Sequence, residues 1–368
     1  MAAAPSPPLT AQRFRSAVER LCGGGRDARA LVRSLADHVR DAVPCDGMLL
    51  LRTDPTTVLP VDGVVTAMPP AMCRPFWDNE LLEDDYNKFV ALARGPVAAT
   101  LYEATGGDLS RSRRYVTLYR RLGVTDELRV SFAARDGSCW GLAQLLRTGG
   151  VFTTAERDLV AGAAPTVASA LRARFVAPPA APAAGGPALV VLDASGEVEL
   201  VSPDARRWLA ELAGQSDTGM TPVPEPVYTV AARARAVRAG RDVGPACAQV
   251  RTVDRGWLHL HATCLDGPGA AGGSVAVVIT PAQASDLVPL LALAYRLTHR
   301  EQQVLGYLAR GMTTAEITQH LGISTHTVRD HVKALLSKVG VRSRAELVAR
   351  IFAEHYVERL EADVDRTG

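Results

Sequence analysis

The sequence predicts a multidomain α+β protein. Two α/β domains, each an antiparallel sheet with flanking helices, are expected to precede an all-α domain of four helices. The chain has 368 residues, which is too long for one comfortable hydrophobic core. Strand-like and helix-like segments alternate up to residue 282, whereas only helical spacing follows residue 297.

Composition places the chain among soluble, folded proteins, with 47% hydrophobic and 22% charged residues and a net charge of +2. Its six cysteines lie far apart without a C-x-x-C pair, which favours reduced thiols in a cytosol. The start, MAAAPSPPLT, lacks the basic and apolar regions of a signal peptide. The longest apolar run, 287–295, is far shorter than a membrane span. We therefore expect a cytoplasmic protein that does not enter a membrane.

The first α/β domain is expected at 11–175, after a disordered tail at 1–10. An Asp-Gly pair at 136–137 is a hairpin signal, and Thr153 with Glu156 forms a capping box that starts a long helix. In chain order the predicted elements are a helix at 27–43, strands at 45–53 and 58–68, a helical stretch at 77–94, strands at 126–134 and 139–147, and the helix after Thr153.

A linker at 176–187, rich in proline, alanine and glycine, leads to the second α/β domain at 188–282. A strand pair across Ser195-Gly196 opens this domain, and a connecting helix at 283–296 leaves it. Between them the sequence predicts helices at 203–213 and 226–238 and strands at 246–253, 256–265 and 273–280.

The all-α domain is expected at 297–355, followed by a tail at 356–368. Capping boxes pair Thr298 with Glu301, Thr313 with Glu316 and Ser343 with Glu346. Ser324 is a natural N-cap for the third helix, and glycines end the first and third helices. A short helix, a glycine turn and a capped longer helix form the helix-turn-helix pattern.

The longer helix, 325–339, has two different sides. Its apolar stripe consists of Val328, Val332, Leu335, Leu336 and Val339. The opposite side carries Thr325, His326, Arg329, Asp330, Lys333 and Ser337, which suit phosphates and base edges in a major groove. Residues 297–352 contain eight Lys and Arg against four Asp and Glu, a net charge of +4, whereas the rest has 33 against 35, a net charge of −2. This basic domain indicates a polyanionic partner.

The stretch LTHREQQVLGYLARGMTTAEITQHLGISTHTVRDHVKALLSKVGVRSRAELV resembles the DNA-binding domain of LuxR-type transcriptional regulators. Matching positions are Leu297-Thr298, Arg300-Glu301, Gly311, Glu316-Ile317, Leu321, Ile323-Ser324, Thr327-Val328, His331-Val332, Leu336, Lys338, Gly340-Val341 and Ser343-Arg344. The resemblance implies that 325–339 is the recognition helix and that 344–352 pairs two domains. The residues expected at DNA are Ser324, Thr325, His326, Thr327, Arg329, Asp330, Lys333, Lys338 and Arg342, and those expected at the dimer contact are Leu347, Val348 and Ile351.

The element order at 27–175 is similar to a GAF domain, and the strand–turn–strand at 188–202 with its following helix looks like the opening of a PAS domain. Such sensor-like domains precede LuxR-type domains in actinobacterial regulators, which the chain resembles in this respect. None of the three lysines follows a glycine, which excludes a Walker A loop and thus the large ATPase-type members.

Three other hypotheses concern the two α/β domains. Gly137-Ser138-Cys139-Trp140-Gly141 matches a cysteine version of the hydrolase nucleophile elbow, although a hairpin is the wrong context for it. His259 and His261, with Cys247 or Cys264, have the chemistry of a metal site, but their spacing equally suits one face of a strand. Trp77, Trp140 and Cys73 either line a ligand pocket or pack in the core.

We therefore expect a one-component, DNA-binding transcriptional regulator and not an enzyme, with no cofactor and no metal. It would bind inverted-repeat promoter DNA as a homodimer, under control of the two sensor-like domains, with RNA polymerase as a further candidate partner. Two alternatives stay open. The front region is an interaction or dimerisation platform without a ligand, or it is an enzyme that uses Cys139.

Overall fold

The computed structural model describes six stretches of the chain: 11–134, 136–175, 186–215, 223–252, 256–266 and 273–352. The predicted tails at 1–10 and 356–368, most of the linker at 176–187 and the end of the all-α domain at 353–355 lie outside these residues. No helix within the six stretches combines the length and the apolar character needed to cross a membrane.

Five antiparallel strands form the first sheet, in the order β2-β1-β5-β4-β3. They are β1 (Gly47–Thr53), β2 (Pro60–Thr66), β3 (Ala98–Thr100), β4 (Asp126–Ala133) and β5 (Cys139–Arg147). The four longer strands confirm the sequence prediction, whereas the three-residue β3 was not predicted. The β4–β5 hairpin turns at Gly137, whose φ of +83° explains the glycine of the Asp-Gly signal.

Helices cover both faces of this sheet: α1 (Ala11–Gly23), α2 (Ala28–Ala42), α3 (Cys73–Leu82), α4 (Phe89–Arg94), the short α5 (Leu101–Ala104) and α6 (Thr154–Phe175). Helix α1 was not predicted, and the helical stretch expected at 77–94 is two helices. The chain between α3 and α4 passes Asn87 with a φ of +54°, a conformation that ends a helix and that asparagine tolerates. The predicted capping box of α6 is present, with the Thr153 amide 2.8 Å from Glu156 Oε2.

A buried ionic network lies between the first sheet and helices α3 and α4. Glu127 accepts from Arg114 Nη2 at 2.7 Å and from Arg129 Nε at 2.9 Å, and all three side chains are fully buried. Arg129 Nη1 also lies 2.6 Å from Glu80 Oε2. Burial opposes ionisation of Glu127, but the two guanidinium groups outweigh it and hold the pKa of this carboxyl below its usual value.

A second antiparallel sheet repeats the strand order of the first, as β7-β6-β10-β9-β8. Its strands are β6 (Ala188–Leu192), β7 (Val198–Val201), β8 (Cys247–Arg251), β9 (Trp257–Cys264) and β10 (Val275–Pro281), with helices α7 (Pro203–Gln215) and α8 (Glu225–Arg238). All seven elements were predicted. Gly196, with a φ of +82°, makes the expected turn between β6 and β7.

Helix α8 is buried between the two sheets, because 11 of its 14 residues are buried. It packs against α3 and β2 of the first sheet and against β9 and β10 of the second. Trp77 Nε1 donates to Glu225 Oε1 at 2.7 Å, and the Tyr228 hydroxyl donates to Asp78 Oδ1 at 2.8 Å. The apolar residues of both sheets on this side therefore form one continuous core.

Five helices complete the described chain: α9 (Ala284–Ala294), α10 (His299–Ala309), α11 (Thr314–Leu321), α12 (Thr325–Val339) and α13 (Arg344–Phe352). Both predicted capping boxes of α10 and α11 are present, and Gly322 and Gly340 end α11 and α12 in the left-handed conformation. The mixed helix-and-sheet prediction, with a helical C-terminal domain, is thus confirmed.

Candidate nucleic-acid interface

Helix α12 is docked by the apolar stripe that the sequence predicts. Val328, Val332, Leu335 and Val339 are buried, and Leu336 is half-buried. They belong to one core with apolar residues of α10, α11 and α13. Burial of such side chains contributes about 1.5–3 kcal/mol each, so the stripe fixes which side of α12 faces outward.

The start of α12 is held by local bonds. Ser324 Oγ accepts from the Thr327 amide at 3.1 Å and lies 2.9 Å from Thr327 Oγ1. Gly322 takes a φ of +62°, which lets the chain reverse between α11 and α12. These bonds fix the start of α12, where the first backbone amides form the positive end of the helix dipole.

The outward side of α12 carries most of the predicted DNA-contacting residues. Thr325, His326, Arg329, Asp330 and Lys333 are exposed together with Ser324, and Thr327 is half-buried. The described residues of the chain therefore leave this surface open. Arg329 and Lys333 are one turn apart and share a side of the helix, so both can approach the same duplex groove.

Asp330 is paired within this surface. Its Oδ2 lies 2.9 Å from His326 Nδ1, one turn earlier on α12, and both side chains are exposed. Helix spacing also allows a pair between Asp330 and Lys333, three residues later, but the structure pairs Asp330 with His326. An exposed pair of this kind holds the carboxylate in place weakly, and a base edge can therefore compete for it.

Lys338 is the predicted DNA-contacting residue whose surroundings differ most from expectation. Its Nζ lies 2.6 Å from Glu301 Oε2 and 2.8 Å from the Arg296 carbonyl oxygen, and it joins α12 to the start of α10. Burial opposes ionisation of Glu301, but the Lys338 bond and the Thr298 cap outweigh it and lower the pKa of this carboxyl. Lys338 therefore has a structural role that sequence analysis missed, and a phosphate would have to compete with Glu301 for its charge.

The predicted pairing residues of α13 differ in accessibility. Leu347 is fully buried in the core of its own domain, whereas Val348 is half-buried. The side chain of Ile351 lies outside the described residues. Val348 lines a cavity of about 580 Å³ whose other lining residues are Leu308, Gly311, Met312, Thr313, Arg344 and Ala345. Arg342, the last predicted DNA-contacting residue, is exposed just before α13.

The structure does not assemble the two alternative sites, the Cys139 elbow and the histidine metal site, among the described residues. Cys139 is fully buried on β5, and burial raises the pKa of its thiol to about 12, which counts against a nucleophile. His259 and His261 stack at 6.4 Å between ring centroids. No group of three or more His, Cys, Asp or Glu side chains among the described residues is placed to hold a metal.

Trp77 and Trp140 do not line one pocket with Cys73, and that hypothesis is wrong. Trp77 and Cys73 lie on α3 in the core that both sheets share. Trp140 points to the opposite face of the first sheet, where its ring is 5.4 Å from that of Phe175. Adjacent positions along a strand face opposite sides of the sheet. Cys139 therefore faces the shared core that contains Trp77, whereas Trp140, the next residue on β5, faces away from it.

Residues 295–351 match the family model of bacterial regulatory proteins, luxR family. The transcriptional regulatory protein UhpA of Salmonella typhimurium (strain LT2) is 48% identical over 56 residues, which are 15% of this chain and 29% of UhpA. DesR of Bacillus subtilis, also named a transcriptional regulatory protein, is 41% identical over 61 residues, 17% of this chain and 31% of DesR. The spore germination protein GerE of Bacillus subtilis is 40% identical over 55 residues, 15% of this chain and 74% of GerE. The chain thus spans less than a third of the length of UhpA and DesR, and its C-terminal domain is a LuxR-type helix-turn-helix domain.

Proposed function

We propose that this chain, whose C-terminal domain is of the LuxR type, is a transcriptional regulator that binds inverted-repeat promoter DNA as a dimer under control of its two sheet domains. The observation that carries the proposal is the exposed side of α12, with Arg329 and Lys333 directed outward from a helix whose other side is buried. UhpA and DesR, which are similar over this domain, are named transcriptional regulatory proteins.

In this proposal the exposed side of α12 enters the major groove. Arg329 reads guanine edges through its two-pronged guanidinium group, and Lys333 adds attraction to phosphate. The Ser324 and Thr327 hydroxyls and the first amides of α12 lie at the end that meets the sugar–phosphate backbone. Arg342, exposed near the start of α13, adds a further cation at the rim of this surface.

Pairing of two domains is proposed through α13 and the cavity beside it. Leu347 is buried in the core of its own domain and cannot reach a second copy. The dimer contact is therefore assigned to Val348, Ala345 and Met312, which line that cavity. Placed this way, two recognition helices would meet half-sites about one helical turn (~10 bp) apart.

Helix α9 is the proposed route of control. Leu287 and Leu290 belong to the core of the first sheet domain, together with Trp257 of the second. Ala292, two residues further along α9, belongs to the core of the C-terminal domain with Val304 and Leu335. A shift of α9 in the sheet domains would therefore move the LuxR-type domain directly. The equal strand order of the two sheets supports two related sensor-like domains, as expected for GAF-like and PAS-like units.

The buried ionic network favours a second candidate for the front region. Arg114, Arg129 and Glu127 occupy the space between the first sheet and α3–α4. A sheet domain filled in this way serves as an interaction platform and needs no ligand in its interior. RNA polymerase is a candidate partner for such a platform.

The test is binding of the full-length protein to promoter fragments recovered from a random or genomic pool. Arg329→Ala should lose about 1–3 kcal/mol of discrimination at one base pair per half-site. Lys333→Ala should weaken binding to all sequences and reduce the salt dependence by about one charge. The control is Arg206→Ala, which removes an exposed arginine on α7 and should change neither property. Salt-independent binding, or equal losses in all three variants, would contradict the proposal.

The dimer is tested separately with Val348→Glu. The charge should weaken binding to a full inverted repeat by ~1–2 kcal/mol and leave binding to an isolated half-site nearly unchanged. Equal losses on the two DNAs would mean that pairing does not use this surface.

A further inference from the structure

A cavity of about 420 Å³ lies where the first sheet domain meets the LuxR-type domain. The sheet domain contributes the turn between β4 and β5, and the joint between α9 and α10 forms the other wall. The lining residues are Ala134, Asp136, Ala292, Leu293, Arg296, Leu297 and Thr298. This volume lies within the range of small-molecule sites. We call it the joint cavity.

Most of the wall of the joint cavity is apolar. Ala134, Ala292, Leu293 and Leu297 supply this part, and Ala292 and Leu297 belong to the core of the LuxR-type domain. Thr298 already uses its amide and its hydroxyl in the capping box of α10. An apolar wall favours a ligand with an apolar body, because binding removes apolar surface of both from water.

Two charged residues also line the joint cavity. Arg296 is exposed, and its guanidinium group has no ion pair or hydrogen bond with any residue in the described stretches. Asp136 is held in the turn between β4 and β5, where its Oδ1 accepts from the Ser138 amide at 3.0 Å. The charge of Arg296 is therefore available to a ligand in the cavity.

A second arginine lies close to these two residues. Burial and, next to it, repulsion by Arg296 lower the pKa of Arg172 on α6, whereas Asp136 raises it. Arg172 Nη1 is shielded from solvent and has no hydrogen-bond partner among the described residues. A shielded donor without a partner costs free energy. An anionic oxygen bound here would satisfy this donor and relieve the repulsion between the two guanidinium groups.

We propose that the joint cavity is a binding site for a small monocarboxylate with an apolar body. The body would lie against the apolar wall, and the carboxylate would accept charge-assisted hydrogen bonds from Arg296 and Arg172. A single negative charge fits, because Arg172, Arg296 and Asp136 together carry one excess positive charge. The inference does not depend on the proposed function, because binding to the cavity is measured without DNA.

A ligand in the joint cavity would act on α12 through a single residue. Arg296 separates α9 from α10 and has a φ of +54°, a left-handed conformation that is uncommon for residues other than glycine. Its carbonyl oxygen accepts from Lys338 Nζ of α12 at 2.8 Å. A carboxylate that holds the Arg296 side chain therefore acts on the joint that carries the LuxR-type domain. This consequence, unlike the binding itself, rests on the proposed function.

The experiment is calorimetric titration of the full-length protein, without DNA, with three compounds of similar shape. Phenylacetate is an anion at neutral pH, 2-phenylethanol is uncharged and 2-phenylethylamine is a cation. We expect saturable one-site binding of phenylacetate. The alcohol should bind about tenfold more weakly, because it lacks the charge-assisted contact, and the amine should bind most weakly of the three.

Two variants separate the charge of the site from its apolar wall. Arg296→Gln should weaken phenylacetate binding about tenfold and leave 2-phenylethanol binding unchanged, because only the carboxylate uses the guanidinium group. Ala134→Met changes a half-buried residue of the wall and should weaken both compounds, because the longer side chain occupies the cavity. The control is Arg300→Gln, an exposed arginine outside the lining, which should bind all three compounds as the unchanged protein does.

Circular dichroism of each variant separates loss of the site from loss of the fold. Absence of saturable phenylacetate binding to the unchanged protein would overturn the proposal. Equal affinity for phenylacetate and 2-phenylethanol would overturn the carboxylate class, and tightest binding of 2-phenylethylamine would assign the cavity to a cation held by Asp136. Equal weakening by Arg296→Gln and Arg300→Gln would also overturn it, because binding would then follow the overall charge.

Discussion

Two regions of the molecule use charged side chains in opposite ways. Under α3 and α4, Arg114, Arg129 and Glu127 are fully buried and bonded to one another. On α12, Arg329 and Lys333 face solvent beside an exposed histidine–aspartate pair. Buried charges must be matched by partners inside the protein, whereas exposed charges remain available to a partner outside it. The difference separates a region whose charges are satisfied inside the protein from a surface whose charges stay accessible to solvent.

The largest effect is expected from breaking the buried network. Arg129→Met should lower the free energy of unfolding by about 3–5 kcal/mol, because Glu127 and Glu80 would remain buried with too little positive charge. Urea denaturation followed by circular dichroism measures it. Arg113→Met is the matched control, since Arg113 forms its ion pair with Glu83 while largely exposed, and it should cost below about 1 kcal/mol. Similar losses of stability in both variants would contradict this prediction, because burial would then not determine the cost of removing an arginine.

A pH dependence should come from Glu225, buried on α8 against Trp77. Burial raises the pKa of this carboxyl from 4.5 to about 7, so the folded protein holds a proton that the unfolded chain releases. The contribution of this group to stability is therefore highest below pH 4.5 and declines as the pH rises from 4.5 to about 7, by up to about 3 kcal/mol in total. Glu225→Gln keeps an acceptor for the Trp77 N–H and should remove this decline. The measurement is the free energy of unfolding of both proteins at several pH values. If stability declined with pH in Glu225→Gln as it does in the unchanged protein, the decline would come from another group.

The sequence predicts the helices of the C-terminal domain better than the buried ionic network, for a physical reason. The helices of the C-terminal domain begin at capping boxes such as Thr298 with Glu301, and these signals lie within four residues of one another. The buried network forms only after three distant segments of the chain have packed together, those that carry Glu80, Arg114 and Glu127. No local sequence pattern therefore predicts it. The Lys338–Glu301 contact joins residues 37 positions apart and was missed for the same cause.

The position of Leu347 illustrates a second limit. Amphipathic spacing predicts that α13 has an apolar side but cannot decide whether that side meets its own core or another copy. The structure buries Leu347 in the domain's own core and leaves Val348 half-buried beside a cavity. The outward side of α12 was easier to predict, because a continuous stripe of five apolar residues specifies the docked side.

The smallest effect concerns the exposed pair on α12. Asp330→Ala should relax the preference for one C·G pair per half-site by ~1–3 kcal/mol, because the carboxylate would no longer accept from cytosine N4. Binding to non-specific DNA should change little. His326→Ala is the companion variant, which frees Asp330 from its partner and should preserve the preference. Tighter binding of Asp330→Ala to every sequence, with base preferences intact, would make Asp330 a mere source of repulsion.

Helix α8 has a consequence for how such a protein can be assembled over evolutionary time. Because it supplies apolar surface to both sheets at once, neither sheet domain can be exchanged for another without leaving the helix half uncovered. The linker at 176–187 suggests two interchangeable modules, yet the shared helix makes the pair a single unit of inheritance. The LuxR-type domain is tied to this pair through α9, because Ala292 of that helix belongs to the core of the LuxR-type domain.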